Sequence, residues 1–316
     1  MTSQATRING HSSIAESGTT ESETQVDAGT SIGEVNSECP SPIDSMTRGT
    51  PIKLFAGDQL EIHPTAIVHP KARLGPGVKI GPYCIIGEHV AIGARTILEN
   101  NVTLQGRLDL GEDNHLAPYA TLGLPPQHLK YRGEPTRVEI GDRNIFREYV
   151  TVHLGTVPGG GVTRIGSDNY LMVFVHIGHD AQVGNSVIIA NSCNIGGHVQ
   201  IEDHSNIGGM CGVHQFVRVG AYSMLGGCSA IRYDVVPYSL VEGNPARSRG
   251  LNTIGLKRNG FTSEILRTLK RAYRIVFRSH LTVREAIQRL DDELESDDKL
   301  AHFKEFILQS QRGILR

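Results

Sequence analysis

Of the five histidines between residues 176 and 214, four, His176, His179, His198 and His214, are the candidates for chemistry, all at positions where an apolar repeat does not call for a buried residue. Imidazole is the side chain that exchanges a proton near neutral pH without further tuning. A carboxylate, Asp180, follows His179 directly, and His179, Gly197 and Gln215 are spaced by eighteen residues, as are Asp180 and His198. If the chain returns to the same corner every eighteen residues, these groups meet in one column. An imidazole base, a carboxylate that fixes its tautomer and a glycine N–H that holds a developing oxyanion together suit acyl transfer to a hydroxyl or an amine. Clustered histidines can also bind metal. Here no cysteine joins the cluster and only one carboxylate is close, so no metal is expected. Ser192 and Cys193 lie near the cluster, but Cys193 falls at a core position. Direct transfer without a covalent enzyme intermediate is therefore expected.

The eighteen-residue return comes from the elements around the histidines. From Ile165 to Ile231, every sixth residue is Ile, Leu or Val without a slip, and a mostly small residue stands two places before the next aliphatic. Residues two apart face the same way on a short strand, so each six-residue unit has one inward face and one turn. A period of six identifies a parallel β-helix of hexapeptides, three units to a coil. Residues eighteen apart should then stack about 4.8 Å apart.

The ladder begins at Ile62 and runs to Leu122. It breaks over residues 123–137, resumes at Ile140, and breaks again over 155–164, the Gly-rich GTVPGGGVTR. Both breaks are expected to be loops that leave the solenoid, where function tends to gather. The β-helix is thus placed at 58–237, an irregular connector at 238–260 and a helical domain at 261–316. In the last, Ile265, Leu266, Leu269, Ala272, Tyr273, Val276 and Phe277 have helical spacing. Thr282 and Glu285 form a capping box for a second helix, and Ser296 or Asp297 can start a third. These helices would cover the open end of the solenoid.

Composition agrees with a narrow prism that has little room for rings: aromatics are 5%, Trp is absent and Gly numbers 36 of 316 residues. Cys84, Cys193 and Cys211 sit at inward positions and are expected to be buried, reduced thiols. Residues 1–50 carry seven acids and two bases and few large apolar residues, and read as a disordered acidic tail. No signal peptide or membrane span is evident, so the expected compartment is the cytoplasm. Residues 257–280 hold seven Lys or Arg against Glu264 alone, in a chain whose formal charge is −2. Such a stretch suits an acidic partner; with few aromatics interleaved, nucleic acid is not the expected one.

The runs HIGHDAQVGN (176–185), GGHV (196–199), VHQF (213–216), PQHLKYRGEPTRVEIGDRN (126–144) and GLKRNGF (255–261) resemble, in this order, the acyl-[acyl-carrier-protein]–UDP-N-acetylglucosamine O-acyltransferase family. The resemblance runs from about residue 58 to the C-terminus. It implies a left-handed parallel β-helix with a C-terminal α-helical domain, assembled as a homotrimer. It implies transfer of a 3-hydroxyacyl group from acyl carrier protein to the 3-hydroxyl of UDP-N-acetylglucosamine, the first step of lipid A biosynthesis, with no cofactor. In this family resemblance His179 matches the general base, Asp180 its orienting carboxylate and Gly197 the backbone donor to the thioester carbonyl. His176, His198, Gln127, Lys130, His214 and Gln215 match positions lining a cleft between subunits. Asn252 and Arg258 match the nucleotide end, and Gly227 matches a gauge of acyl length, where glycine admits a long chain. Three residues depart from the family's usual pattern: His128 stands where Asp is common, and Ile254 and Asn259 stand where Glu and a second Arg are common. Two other readings stand beside this one: an N-acyltransferase acting on an amino sugar nucleotide, and a β-helix scaffold without catalytic activity.

Overall fold

The computed structural model describes residues 59–295 and 297–316. The acidic stretch at 1–50 and the possible start of a helix at Ser296 lie outside the described residues. Residues 61–231 form a left-handed parallel β-helix of two- to four-residue strands. Three sheets make the three sides, the first of eleven strands counting two that follow residue 231, the others of nine and eight, and within 61–231 each strand pairs with the one three positions later in the chain. Glu61 pairs with Lys79, Ile67 with Ile85 and Ile177 with Ile195, which is the eighteen-residue circuit.

The core is the pair of inward positions read from the repeat. Ile177, Ile189, Ile195, Ile207 and Leu225 are fully buried, as are the small partners Val175, Ala181, Cys193, Val199 and Cys211. Side chains of this kind contribute about 1.5–3 kcal/mol each when buried, and stacking coils makes their burial continuous. Cys84, Cys193 and Cys211 are free thiols inside the prism, while Cys228 is exposed. In most units one residue turns the corner in the left-handed region, including Asp180 at φ 61° and His198 at φ 62°. These two are the residues whose side chains the turn throws outward beside one another.

Two insertions interrupt the circuit. Thr121–Leu124 and Arg137–Ile140 are strands, so the first excursion spans 125–136, shorter than the sequence break. Val162–Ile165 is also a strand, paired in register with Arg137–Ile140, so the second excursion spans only 155–161. The repeat is hidden there because the inward position paired with Val138 is a threonine, Thr163, while the aliphatic Val162 pairs with the exposed Arg137 on the outward row.

The expected irregular connector is ordered. Ser239–Gly243 extends the first sheet in parallel with Met224–Leu225, then folds back on Ala246–Leu251 as an antiparallel hairpin. A short helix α1 (Thr253–Arg258) follows. Arg and Gly in ARSRGL hide a strand that pairs on one side only and buries no residue. Helices α2 (Ser263–Arg278), α3 (Val283–Glu293) and α4 (Asp298–Leu308) complete the chain. Thr282 and Glu285 form the capping box of α3, and Asp297 caps α4. Leu266, Leu269, Ala272, Val276, Leu290, Leu300 and Phe303 make a second core together with Val236 and Tyr238 at the end of the prism. That core closes an end which would otherwise expose the last coil.

Candidate active site

The imidazole column is built by corner geometry. His179 is the second residue after the strand His176–Ile177, and the next coil places Gly197 and His198 over it. The His198 N–H donates to His179 O at 2.9 Å, and the Phe216 N–H donates to Gly197 O at 3.1 Å, so the backbone holds successive corners together. A Cβ at position 197 would lie 2.8 Å from His179 Cε1 and 2.9 Å from Nε2. Glycine is required there for close approach to the ring. The Gly197 N–H donates to no acceptor among the described residues, which leaves it available to a ligand.

The Asp180 side chain is fully buried and that of His179 is 13% exposed. Asp180 Oδ2 accepts from His179 Nδ1 at 2.8 Å and from Thr156 Oγ1 at 2.7 Å, and Oδ1 accepts from the Thr156 N–H at 2.8 Å. A carboxylate can only accept, so the imidazole proton sits on Nδ1 and the Nε2 lone pair is left free. His128 and His198 both pack edge-on to the His179 ring, at 5.4 and 5.1 Å between centroids. His198 in turn stacks on Phe216 at 4.3 Å. Burial lowers the His198 pKa, with the Asp180 carboxylate opposing and the neighbouring imidazoles His179 and His128 adding to the fall.

His176 Nδ1 shares a hydrogen bond with Thr151 Oγ1 at 2.8 Å, and its ring meets that of His153 edge-on at 5.2 Å. Burial, helped by His153 and His179, pushes its pKa down to about 4. Between pH 4 and the unfolded value near 6.5 the unfolded chain binds the extra proton, so stability is full above that window and falls as pH drops through it. The native protein should lose on the order of 2 kcal/mol from this group between pH 7.5 and pH 4.5. Thermal denaturation at the two pH values checks it: His176→Gln should show a smaller loss than the native chain, and an equal loss would contradict the assignment.

Of the remaining sequence candidates, His176, His214 and Gln215 share one groove. His176, Asn194, Gly212, His214, Gln215 and Arg232 line an open groove of about 400 Å³. A larger hollow of about 690 Å³ lies on another face, among Glu139, Arg164, Gln182 and Gln200, and holds no imidazole. His214 Nδ1 lies 3.0 Å from Gln215 O and 3.3 Å from the Arg312 guanidinium. Gln127 and Lys130 are exposed on the first excursion and make no hydrogen bond among the described residues, so one chain does not tie them to the column. Asn252 caps α1: its Oδ1 accepts from the Gly255 N–H at 3.1 Å and its Nδ2 donates to Tyr222 O at 2.9 Å. Arg258 is exposed at the end of that helix. At Gly227 an added Cβ would meet only Gly209, with its carbonyl oxygen at 3.3 Å, and then open space.

His179, Asp180 and His198 present ligand atoms within 4.8 Å of one another, a spacing a metal could also use. Three donors from His179 and Thr156 already fill the Asp180 oxygens, which organises the carboxylate around an imidazole. Sequence spacing missed Thr156, Thr151 and His128, all brought in by excursions or by neighbouring coils offset from eighteen. The irregular circuit itself was the available signal: Thr151 pairs with His176 across twenty-five residues.

Known proteins place this geometry. A family model described as "Udp N-acetylglucosamine O-acyltransferase; Domain 2" matches residues 234–315, and a bacterial transferase hexapeptide model matches 60–94. The acyl-[acyl-carrier-protein]–UDP-N-acetylglucosamine O-acyltransferase of Burkholderia orbicola is 48% identical over 211 residues, 66% of this chain and 80% of that protein. LpxA from Acinetobacter baumannii superposes with a TM-score of 0.79 at 43% identity, covering 81% of this chain and 99% of that one. LpxA from Bacteroides fragilis, a UDP-N-acetylglucosamine acyltransferase, gives 0.79 at 38% identity, covering 81% and 100%. With both the prism and its helical end matched, the chain belongs to the acyl-[acyl-carrier-protein]–UDP-N-acetylglucosamine O-acyltransferase family.

Proposed function

We propose that the protein transfers a 3-hydroxyacyl group from acyl carrier protein to the 3-hydroxyl of UDP-N-acetylglucosamine, the first step of lipid A biosynthesis. The observation that carries this reading is the His179–Asp180 pair under an unoccupied Gly197 N–H. His179 Nε2 takes the proton of the sugar hydroxyl as its oxygen attacks the thioester carbonyl. The Gly197 N–H stabilises the oxyanion, and the imidazolium returns the proton to the departing thiolate as the carbon–sulfur bond breaks. The acyl group ends as an ester, and no cofactor takes part.

A homotrimer would bring Gln127 and Lys130 of one subunit toward the groove of its neighbour, where they would meet His176, His198, His214 and Gln215. Arg258 would hold the nucleotide, with Asn252 fixing the helix that carries it. No helix among the described residues is long and apolar enough to cross a membrane, and both substrates are water-soluble, which suits work in the cytoplasm. Mass spectrometry of products from purified protein tests the reading, with UDP-N-acetylglucosamine, its 3-amino analogue and mixed 3-hydroxyacyl carrier proteins supplied. An ester on UDP-N-acetylglucosamine is expected. An amide on the analogue without any ester would overturn the acceptor, and no product at all would return the chain to a scaffold.

The basic stretch would dock the acidic carrier protein. Arg271 is neutralised by Glu293 at 2.7 Å, whereas Arg267, Lys270 and Arg274 are exposed without an ion-pair partner among the described residues. Replacing Lys270 and Arg274 together by Glu should raise KM for the carrier protein about tenfold at low salt and leave KM for the sugar nucleotide unchanged. Equal changes in both constants would contradict a carrier dock.

A further inference from the structure

The 155–161 excursion, which the repeat does not explain, ends against the carboxylate behind the imidazole. Thr156 is 3% exposed and puts two donors on Asp180, its N–H to Oδ1 at 2.8 Å and its hydroxyl to Oδ2 at 2.7 Å. The hydroxyl therefore shares Oδ2 with His179 Nδ1. The loop is wound to hold that threonine in place: the Gly159 and Gly161 N–H groups donate back to Thr156 O at 3.0 and 2.8 Å. A side chain at Gly159 would overlap the Asp180 carboxylate, so the loop lies directly on it. Thr163 Oγ1, fully buried on the strand that leaves the loop, accepts the Asp180 N–H at 2.8 Å.

Asp180 has two oxygens and a free rotation about its terminal bond. With only His179 as partner, the carboxylate could turn and release Nδ1, and the imidazole could exchange its proton to Nε2, where it cannot act as a base. The paired donors of one residue clamp both oxygens and leave one orientation. We infer that Thr156 is a positioning residue for the transfer reaction: it locks the Asp180 carboxylate in the rotamer that keeps the His179 proton on Nδ1. The inference rests on the reading of His179 as general base and adds the element that sets its tautomer. Thr156 does not touch substrate.

Thr156→Val removes the hydroxyl at nearly constant volume and keeps the backbone N–H on Oδ1. kcat should fall about 10- to 100-fold, the scale of one hydrogen bond to a charged group, while KM for either substrate stays within about twofold. Thr156→Ser, which restores the hydroxyl, should recover kcat to within about threefold of the native enzyme. Nitrogen-15 NMR of the native enzyme should show the His179 ring with its proton on Nδ1, and Thr156→Val should show a mixture of the two tautomers.

Added to His179→Ala, the same change should leave the residual rate where it was, since the two residues act as a unit. An unchanged kcat in Thr156→Val, beside an inactive His179→Ala, would overturn the positioning role alone. Full activity in His179→Ala would instead overturn the base on which the role depends. A loss in Thr156→Val that Ser does not recover, or that comes with a matching rise in KM, would mark a packing defect and also overturn the role.

Discussion

His179→Ala is expected to lower kcat about a thousandfold, the scale of a positioned general base, with the fold intact. The imidazole stands on the outside of a corner, and its deletion removes no core contact; the inward residues of that coil are Ile177 and Ala181. The melting temperature should move by no more than about 3 °C. In the proposed mechanism the proton transfer exists only in the transition state and the Gly197 N–H would remain to hold the oxyanion, so the loss should fall on kcat and leave some catalysis. Steady-state kinetics with a 3-hydroxyacyl carrier protein checks it, and a variant within threefold of the native kcat would remove His179 from the chemistry.

The second large effect concerns acyl length. The side of the prism that carries His176 and Asn194 runs from the imidazole corner to a corner made of Asn191, Gly209 and Gly227 in successive coils. Between them the outward positions shrink, to Gly212 with open space above it and to Ala230. A strip narrowing to glycine and alanine suits an extended apolar chain, and in the proposed function its far end would fix how long that chain is. Gly227 is at that end, and a side chain there would project past Gly209 into the open. Gly227→Met should therefore lower kcat/KM for the longest donor by about a hundredfold, within the 1–3 kcal/mol that one or two methylenes are worth in a pocket, and leave short donors unaffected. Competition among 3-hydroxyacyl carrier proteins of several lengths reads this out; an unchanged profile would contradict the gauge.

Much of this was legible because a hexapeptide solenoid writes its geometry into the spacing. The inward ladder from Ile165 to Ile231 and the column of His179, Gly197 and Gln215 follow from a fixed period, and so does the approach of His198 to Asp180, 3.7 Å apart in the structure. Helical spacing and capping residues marked α2 and α3 in the same way. What did not follow is whatever departs from the period. Ala246–Leu251 pairs antiparallel and buries no residue, so no apolar pattern marks it. His128 and Thr156 reach the column through excursions whose landing points depend on tertiary contacts. Asn252 matched a nucleotide position by resemblance, and that it caps a helix is seen only in the fold.

The central claim is that a sugar hydroxyl meets His179 Nε2 while Asp180 holds Nδ1. A crystal structure with the acylated sugar nucleotide bound measures this directly. The sugar 3-oxygen is expected within about 3.2 Å of Nε2 and the ester carbonyl oxygen at the Gly197 N–H. A sugar seated in the groove with its 3-oxygen turned away from His179, or a Gly197 amide facing solvent beside bound product, would contradict it.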